Sequence, residues 1–321
     1  MNNRMTTFTP QKAYLLIGLA LITQYLVSAL ASNLIFMPYA EPEKLQDLVK
    51  IISPTGILLL MYVPRVIGVI VFWLIARIVP FERKAGSKIG FGSIMQLFFI
   101  MYAVSSVFNA IGTGIKMLSP ADAASQTNQL SDIIATGNIG GFVIVLMLAP
   151  IFEEIVFRKL ILDRVSKYGE ANAILFSAIC FGLFHENLSQ SLYTFCIGLA
   201  LGYVYIKTRN VFITMLMHFT YNLLGTSVMY VLPMMNKGNV SPLLVGVIAL
   251  IAINTLALNV LGIIFLVKWI RKKKFVTDDT SENCIKKKDV FKTIYLRPTV
   301  IIFFAMCLFS IVSELLNIRL F

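Results

Sequence analysis

Two adjacent glutamates in a strongly apolar stretch are the first residues whose type and spacing could do chemistry. Glu153 and Glu154 lie within residues 139–162, and Arg158 follows the second glutamate by four positions. Neighbouring residues on a helix project about 100° apart, so the two carboxylates cannot serve the same contact. Glu154 and Arg158 share a helical face and can form an ion pair. Glu153 then points elsewhere, without a nearby cation, which suits a general base.

A simpler explanation of the glutamates is a charge cluster at the membrane interface, where a helix ends. That explanation requires the helix to stop near Phe152, whereas Leu160, Ile161 and Leu162 continue the apolar pattern. We therefore expect the helix to run past the glutamates, which places them within the membrane. Ionisable groups at that depth are costly and indicate function.

The chain has only two histidines, and both lie in apolar stretches. His185 closes the stretch 171–185, whereas His218 is followed four positions later by Asn222, on the same helical face. For a single histidine of this kind, an ordinary hydrogen bond between helices is the more common explanation. The argument for a shared site therefore depends on depth.

Depth along each helix can be estimated from the cytoplasmic edge of the membrane, which we place near Asp163, Ala171 and Arg209. At 1.5 Å per residue, Glu153 lies roughly 15 Å deep, His218 about 14 Å, Asn222 about 20 Å and His185 about 21 Å. Three helices thus bring carboxylates, imidazoles and an amide to one layer near the middle of the membrane. Chance placement would scatter these groups, so we predict a single site.

These groups are suited to activating water and stabilising an oxyanion, and hence to hydrolysing an amide. Other intramembrane hydrolases leave different marks. His185-Glu186 has no second histidine three positions later, as an H-E-x-x-H zinc site requires. The sequence has no Gly-x-Ser-x-Gly segment for a serine nucleophile, and its aspartates lie in loops or at helix edges.

The elements that must position these groups are membrane helices. Of the 321 residues, 58% are hydrophobic and only 14% are charged, whereas a soluble domain carries roughly a quarter charged residues. We predict an all-α, polytopic membrane helical bundle of eight or nine transmembrane helices around a central intramembrane active-site cavity. The apolar runs are residues 14–37, 57–79, 94–118, 139–162, 171–185, 191–206, 211–232, 244–267 and 299–316.

The basic residues predict the orientation of the bundle. If the N-terminus is cytoplasmic, 22 of the 28 Lys and Arg lie on the cytoplasmic side, five lie outside, and Arg65 falls within the second run. This is the pattern of the positive-inside rule. The formal net charge of +12 therefore indicates a multi-pass protein of the cell membrane and not a nucleic-acid-binding protein.

The chain divides into three predicted parts. Residues 1–130 form N-terminal transmembrane helices, residues 131–230 form the core that carries the chemistry, and residues 231–321 form C-terminal transmembrane helices. The last part includes a basic cytoplasmic segment, residues 268–297. We expect this basic segment to determine topology and to contact anionic lipid.

The motifs resemble those of the CAAX prenyl protease and bacteriocin-processing (CPBP) intramembrane proteases, also called the Abi family. The resemblance covers about residues 130–230 and depends on three ordered motifs: Glu-Glu-x-x-x-Arg, Phe-x-x-x-His and His-x-x-x-Asn. The residues that match these motifs are Glu153, Glu154, Arg158, Phe181, His185, His218 and Asn222.

The resemblance implies an intramembrane endopeptidase in which Glu153 and His185 activate water. His218 and Asn222 would then form the oxyanion hole. The implied substrate is a peptide or a lipidated protein that enters from the membrane.

The same resemblance gives Glu154 and Arg158 a supporting role in the geometry. It leaves two mechanisms open. A glutamate mechanism without a metal fits the residues, and so does a zinc site with Glu153, His185 and His218 as its three ligands.

Members of this family also differ in what they do, since some trim prenylated CAAX tails, some process peptides or protect against them, and some act as scaffolds. A non-catalytic membrane adaptor or bacteriocin-immunity protein is therefore the main alternative function. A transporter comes third, because the sequence shows no paired broken helices in two halves.

Overall fold

The computed structural model describes residues 8–39, 41–81, 86–87, 89–118, 139–236, 241–279 and 283–316. Within these ranges the secondary structure is helical, without strands, which confirms the all-α class. The helices are α1 (Pro10–Phe36), α2 (Pro42–Ala76), α3 (Phe91–Met117), α4 (Ile139–Glu154), α5 (Glu170–Leu183), α6 (Leu188–Thr208), α7 (Val211–Asn236), α8 (Pro242–Arg271), α9 (Val290–Ile294) and α10 (Pro298–Leu315). Shorter helical turns lie at Met37–Tyr39, Asp163–Val165, Ser166–Tyr168 and Lys287–Asp289.

Each of the nine predicted apolar runs coincides with a helix. Among the described residues, five segments are long and apolar enough to cross a membrane, and two further apolar helices are shorter. A polytopic membrane bundle is thereby confirmed, while a total of eight or nine spans stays a prediction. The five segments are Pro10–Tyr39, Leu59–Ala76, Phe91–Met117, Pro242–Arg271 and Pro298–Leu315, and the shorter helices are Glu170–Leu183 and Val211–Gly225.

The helix that carries the glutamates continues past them, as the apolar pattern predicted, but it changes geometry. Directly after Glu154 the chain forms a π-helix over Ile155–Leu162, with one more residue in each hydrogen-bonded turn than an α-helix has. This π-helix packs against α2, α5, α6 and α7, so it occupies the centre of the bundle. Such wide turns are frequent at functional sites.

Arg164 anchors the far end of the π-helix. Its Nε donates to the carbonyl oxygen of Ala76 across 2.6 Å, and its Nη1 donates to the carbonyl oxygen of Leu160 across 3.0 Å. These two carbonyls belong to helix ends, where backbone acceptors lack partners within the helix. One buried guanidinium therefore joins the end of α2 to the end of the π-helix.

Close packing of α5 against α6 sets the position of the second motif. A Cβ atom on Gly182 would lie 2.7 Å from the backbone oxygen of Ser191, and one on Gly198 would lie 2.9 Å from the Cα atom of Ala178. Glycine is required at both positions, because any side chain would push the helices apart. Small residues commonly allow this kind of approach between membrane helices.

Candidate active site

Glu154 and Arg158 form a fully buried ion pair, as their spacing predicted. Arg158 Nε donates to Glu154 Oε2 across 3.0 Å, and neither side chain is exposed. Arg158 Nη1 donates to Ser177 Oγ across 3.2 Å, and that hydroxyl donates to the carbonyl oxygen of Phe157 across 2.9 Å. The guanidinium also lies 5.2 Å from the centre of the Phe181 ring. Glu154 is therefore fixed in place and shielded from any substrate.

His218 lies between the two carboxylates. Its Nδ1 is 3.2 Å from Glu154 Oε1, and its Nε2 is 3.7 Å from Glu153 Oε2. Because a carboxylate only accepts hydrogen bonds, Nδ1 is the donor to Glu154. The buried glutamate thus orients the imidazole so that Nε2 faces Glu153.

His185 lies in the turn that follows α5 and not within the helix itself. Its Nδ1 is 2.8 Å from the carbonyl oxygen of Phe181, so Nδ1 carries a proton and Nε2 of the neutral ring can accept one. The Phe181 ring meets His185 edge-to-face at 5.0 Å and His218 at 5.7 Å. One aromatic ring therefore orients both imidazoles, and His185 also interacts electrostatically with Glu153.

Glu153 opens onto a cavity of about 230 Å³ that is bounded by residues of α1, α2, α4 and the turn after α5. Its side chain is 14% exposed, in contrast to its fully buried neighbour. Arg65 of α2 lines the same cavity, with its Nη1 3.8 Å from Glu153 Oε1. The expectation that Glu153 has no nearby cation considered only its own helix and is wrong, because α2 brings Arg65 to it.

Each of the two glutamates lies near one arginine, but the two ion pairs differ in distance and in solvent exposure. The pair of Glu154 and Arg158 is hydrogen-bonded and dry, whereas Glu153 and Arg65 are 3.8 Å apart, and the Arg65 side chain is 54% exposed. Half-exposed pairs contribute little to stability, so they separate at low cost. Glu153 and Arg65 are therefore the charged groups that can change partners when a substrate enters.

The turn that carries His185 also lines the cavity, through Phe184 and Glu186. Tyr25 of α1 donates its hydroxyl proton to Glu186 Oε2 across 2.8 Å, and Asn187 Nδ2 donates to Glu314 Oε1 of α10 across 2.6 Å. Glu186 has a φ of 54°, which a non-glycine residue adopts only when its surroundings hold it. These contacts, which sequence reasoning missed, tie the turn to both ends of the chain.

Asn222 is half-buried and lies one turn after His218 in α7. Contacts and electrostatic interactions link the other five predicted site residues, which are Glu153, Glu154, Arg158, His185 and His218. The structure therefore brings these five together, and Glu153 is the one that lines the cavity. The role of Asn222 in the site stays a prediction, which depends on the helical face that Asn222 shares with His218.

Three of these residues, Glu153, His185 and His218, are the predicted ligands of a zinc ion. In the parts of the chain that the structure describes, no group of three or more His, Cys, Asp or Glu side chains is placed to hold a metal ion. Glu153 and His218 are close enough to share one, but no third ligand completes the set in this arrangement. The zinc hypothesis is therefore left to direct measurement.

The part of the chain that carries these residues is similar to known proteins. Residues 135–224 match the family model described as Type II CAAX prenyl endopeptidase Rce1-like. The chain is also 26% identical over 164 residues to YdiL of Bacillus subtilis (strain 168), a protein provisionally named a membrane peptidase. That match covers 48% of this chain and 64% of the relative, so the chain spans less than two thirds of the relative's length. No solved structure gives a significant match.

The family model covers all three motifs and the helices that carry them. Together with the curated relative, it supports the CPBP family that the motifs indicated. The family points to a membrane protease.

Proposed function

We propose that this protein is an intramembrane endopeptidase that hydrolyses a peptide bond with a water activated by Glu153 and His185. The observation that carries the proposal is the contrast between two adjacent glutamates. Glu154 is fully buried in an ion pair, while Glu153 faces a cavity and a histidine nitrogen. A catalytic base must reach both water and substrate, and Glu153 is the glutamate that can do so.

In the proposed reaction, a water molecule lies between Glu153 and Nε2 of His185. The Glu153 carboxylate takes one proton from the water, while Nε2 of His185 accepts a hydrogen bond and directs the oxygen to the scissile carbonyl carbon. The attack gives a tetrahedral oxyanion. Glu153 then gives its proton to the leaving amine nitrogen, the carbon–nitrogen bond breaks, and both carboxylate and imidazole return to their starting states.

The oxyanion would be stabilised by Nε2–H of His218 and by the side-chain amide of Asn222. Because Nδ1 of His218 already donates to Glu154, this role requires the doubly protonated imidazolium. The buried Glu154 provides the negative partner for that cation, and Arg158 keeps Glu154 in position. Donors fixed in a water-poor site stabilise such an anion more than they would in water.

The proposed substrate is a CAAX-type peptide, prenylated or otherwise associated with the membrane. The description of the matching family model supports this class, and the cavity beside Glu153 has the mixed lining that it needs. Its walls include the apolar Val69, Phe152 and Phe184 together with Arg65. We propose that Arg65 binds the terminal carboxylate of the substrate, because its contact with Glu153 is loose and its side chain is half-exposed.

The proposal can be tested with the purified protein in proteoliposomes and a fluorogenic farnesylated CAAX-type peptide. We expect the wild-type protein to cleave the peptide and Glu153→Gln to reduce kcat by about 10²-fold or more. A matched control is Glu186→Gln, which changes a carboxylate in the wall of the same cavity, and an amide oxygen there can still accept from Tyr25. We expect the control to cleave at close to the wild-type rate.

Two results would refute the proposal, the first its mechanism and the second its activity. One is equal turnover by wild-type protein and Glu153→Gln. The other is the absence of cleavage of prenylated and unprenylated peptides, combined with a cellular phenotype that Glu153→Gln fully preserves. The second result would favour the non-catalytic adaptor or immunity protein.

A further inference from the structure

A second cavity, remote from the glutamates, lies where α1 and α10 begin. Its volume is about 480 Å³, and the charged side chains that line it are three cations and one carboxylate. The cations are Lys286, Lys292 and Arg297, and the carboxylate is that of Asp289. The lining is therefore positive, although neither the resemblance nor the proposed chemistry assigns it a role.

Arg297, which lines this cavity, has one unsatisfied donor. Its Nη2 donates to the carbonyl oxygen of Lys292 across 2.6 Å. Its Nε is buried and has no hydrogen-bond partner within the described part of the chain. A buried donor without a partner is unfavourable by more than a typical hydrogen bond contributes. An anionic oxygen in the cavity would provide the missing acceptor.

The location of the cavity indicates where such an anion comes from. Both α1 and α10 belong to segments that can cross a membrane, and the Thr299 hydroxyl of α10 donates to the carbonyl oxygen of Leu15 in α1 across 2.7 Å. The cavity lies at the adjacent ends of these two helices, which is the level of the lipid headgroups. Next to it, Phe291 and Leu296 are 64% and 46% exposed. Exposed apolar side chains beside a cationic cavity fit the two parts of a phospholipid.

We infer that this cavity binds the phosphate of an anionic phospholipid. Lys286, Lys292 and Arg297 contact the headgroup, while Phe291 and Leu296 lie against its acyl chains. The site sharpens the general expectation that the basic segment 268–297 contacts anionic lipid, since it assigns the contact to three particular cations. It does not depend on the proposed protease activity.

Native mass spectrometry of the whole chain in detergent tests the inference. The protein is titrated with phosphatidylglycerol, and with phosphatidylcholine as the headgroup without net charge. One cation near a lipid surface contributes about fivefold to binding, so Lys286→Gln with Lys292→Gln should weaken phosphatidylglycerol binding roughly 25-fold. Both lysines are exposed, so the double variant should fold normally.

The matched control removes two charges from the same basic segment but away from the cavity. Lys272→Gln with Lys273→Gln has the same net charge as the first double variant and also changes exposed residues. We expect this control to bind phosphatidylglycerol within about twofold of wild type. Arg297→Lys keeps the charge but alters the donor geometry, and we expect it to bind more weakly than wild type and more tightly than Arg297→Gln.

Three outcomes would overturn the inference. Equal losses in the two double lysine variants would mean that lipid responds to total charge and not to a site. Equal binding of phosphatidylcholine and phosphatidylglycerol would mean that the headgroup charge is not recognised. Displacement of phosphatidylglycerol by excess inorganic phosphate, with no acyl-chain requirement, would identify the ligand as free phosphate.

Discussion

Replacing Arg158 by methionine should destabilise the protein far more than its local contacts suggest. Methionine can fill part of the space of the arginine stem, but it leaves the carboxylate of Glu154 buried without its guanidinium. Breaking a buried pair in this way costs about 3–5 kcal/mol of unfolding free energy, because the remaining charge loses its compensation. The hydrogen bonds to Glu154 and Ser177 are lost with it.

The next residue along the chain provides a matched control. Lys159 and Asp163 are also four positions apart and also 3.0 Å from each other, but the Lys159 side chain is 52% exposed. Exposed pairs contribute about 0.2–1 kcal/mol, so Lys159→Met should cost less than about 1 kcal/mol. The two substitutions therefore introduce the same residue into ion pairs of equal spacing and distance, and the pairs differ in burial.

The measurement is reversible unfolding in mixed micelles for Arg158→Met, Glu154→Gln and the variant that carries both substitutions. If an uncompensated charge causes the loss, the double variant should be more stable than Arg158→Met, with a coupling of about 0.5–3 kcal/mol. A double variant that is less stable than Arg158→Met by the full cost of Glu154→Gln would refute the electrostatic reasoning. The contribution of Arg158 would then lie in packing against Phe181.

Further predictions concern the reaction and the topology. Asn222→Ala should lower kcat about 10²-fold with little change in KM if its amide stabilises the oxyanion. Stoichiometric zinc that leaves together with activity in His218→Ala, and returns with it on addition of zinc, would instead support the metal mechanism. Arg65→Gln should raise KM about tenfold for a peptide with a free terminal carboxylate and leave KM unchanged for its C-terminal amide, since only the acid can bind the guanidinium. Reporter fusions should place residue 128 outside the cell and residue 280 in the cytoplasm, and the reverse result would show that the orientation is wrong.

Sequence reasoning was most successful where a contact depends on spacing along one helix. The pair of Glu154 and Arg158 follows directly from four-residue separation, and the structure has it at hydrogen-bond distance. Depth estimates also brought His185 and His218 to the same layer, because helical rise converts residue number into distance. Both imidazoles contact the Phe181 ring, so the two histidines are close to each other in the structure as well as equal in depth.

The remaining contacts join residues far apart in the chain, and spacing carries no information about them. Arg65 and Glu153 belong to different helices, and their approach depends on how α2 packs against α4. Arg65 did stand out as a cation within an apolar run, and that signal could have marked it as a site residue. The link between Tyr25 and Glu186 left no comparable signal, because tyrosine is common in membrane helices.

The π-helix at Ile155–Leu162 has a consequence for comparing chains of this kind by their motifs. Each residue of an α-helix advances the direction of its side chains by about 100°. If the same residues formed a regular α-helix, Glu153 would turn by a large angle relative to the anchor at Arg164, because the wider π turns advance less per residue than α turns. Such a chain would still contain every glutamate, histidine and asparagine of the three motifs. Its open carboxylate would face away from the cavity, so two chains with identical motif letters could differ in whether they cleave anything.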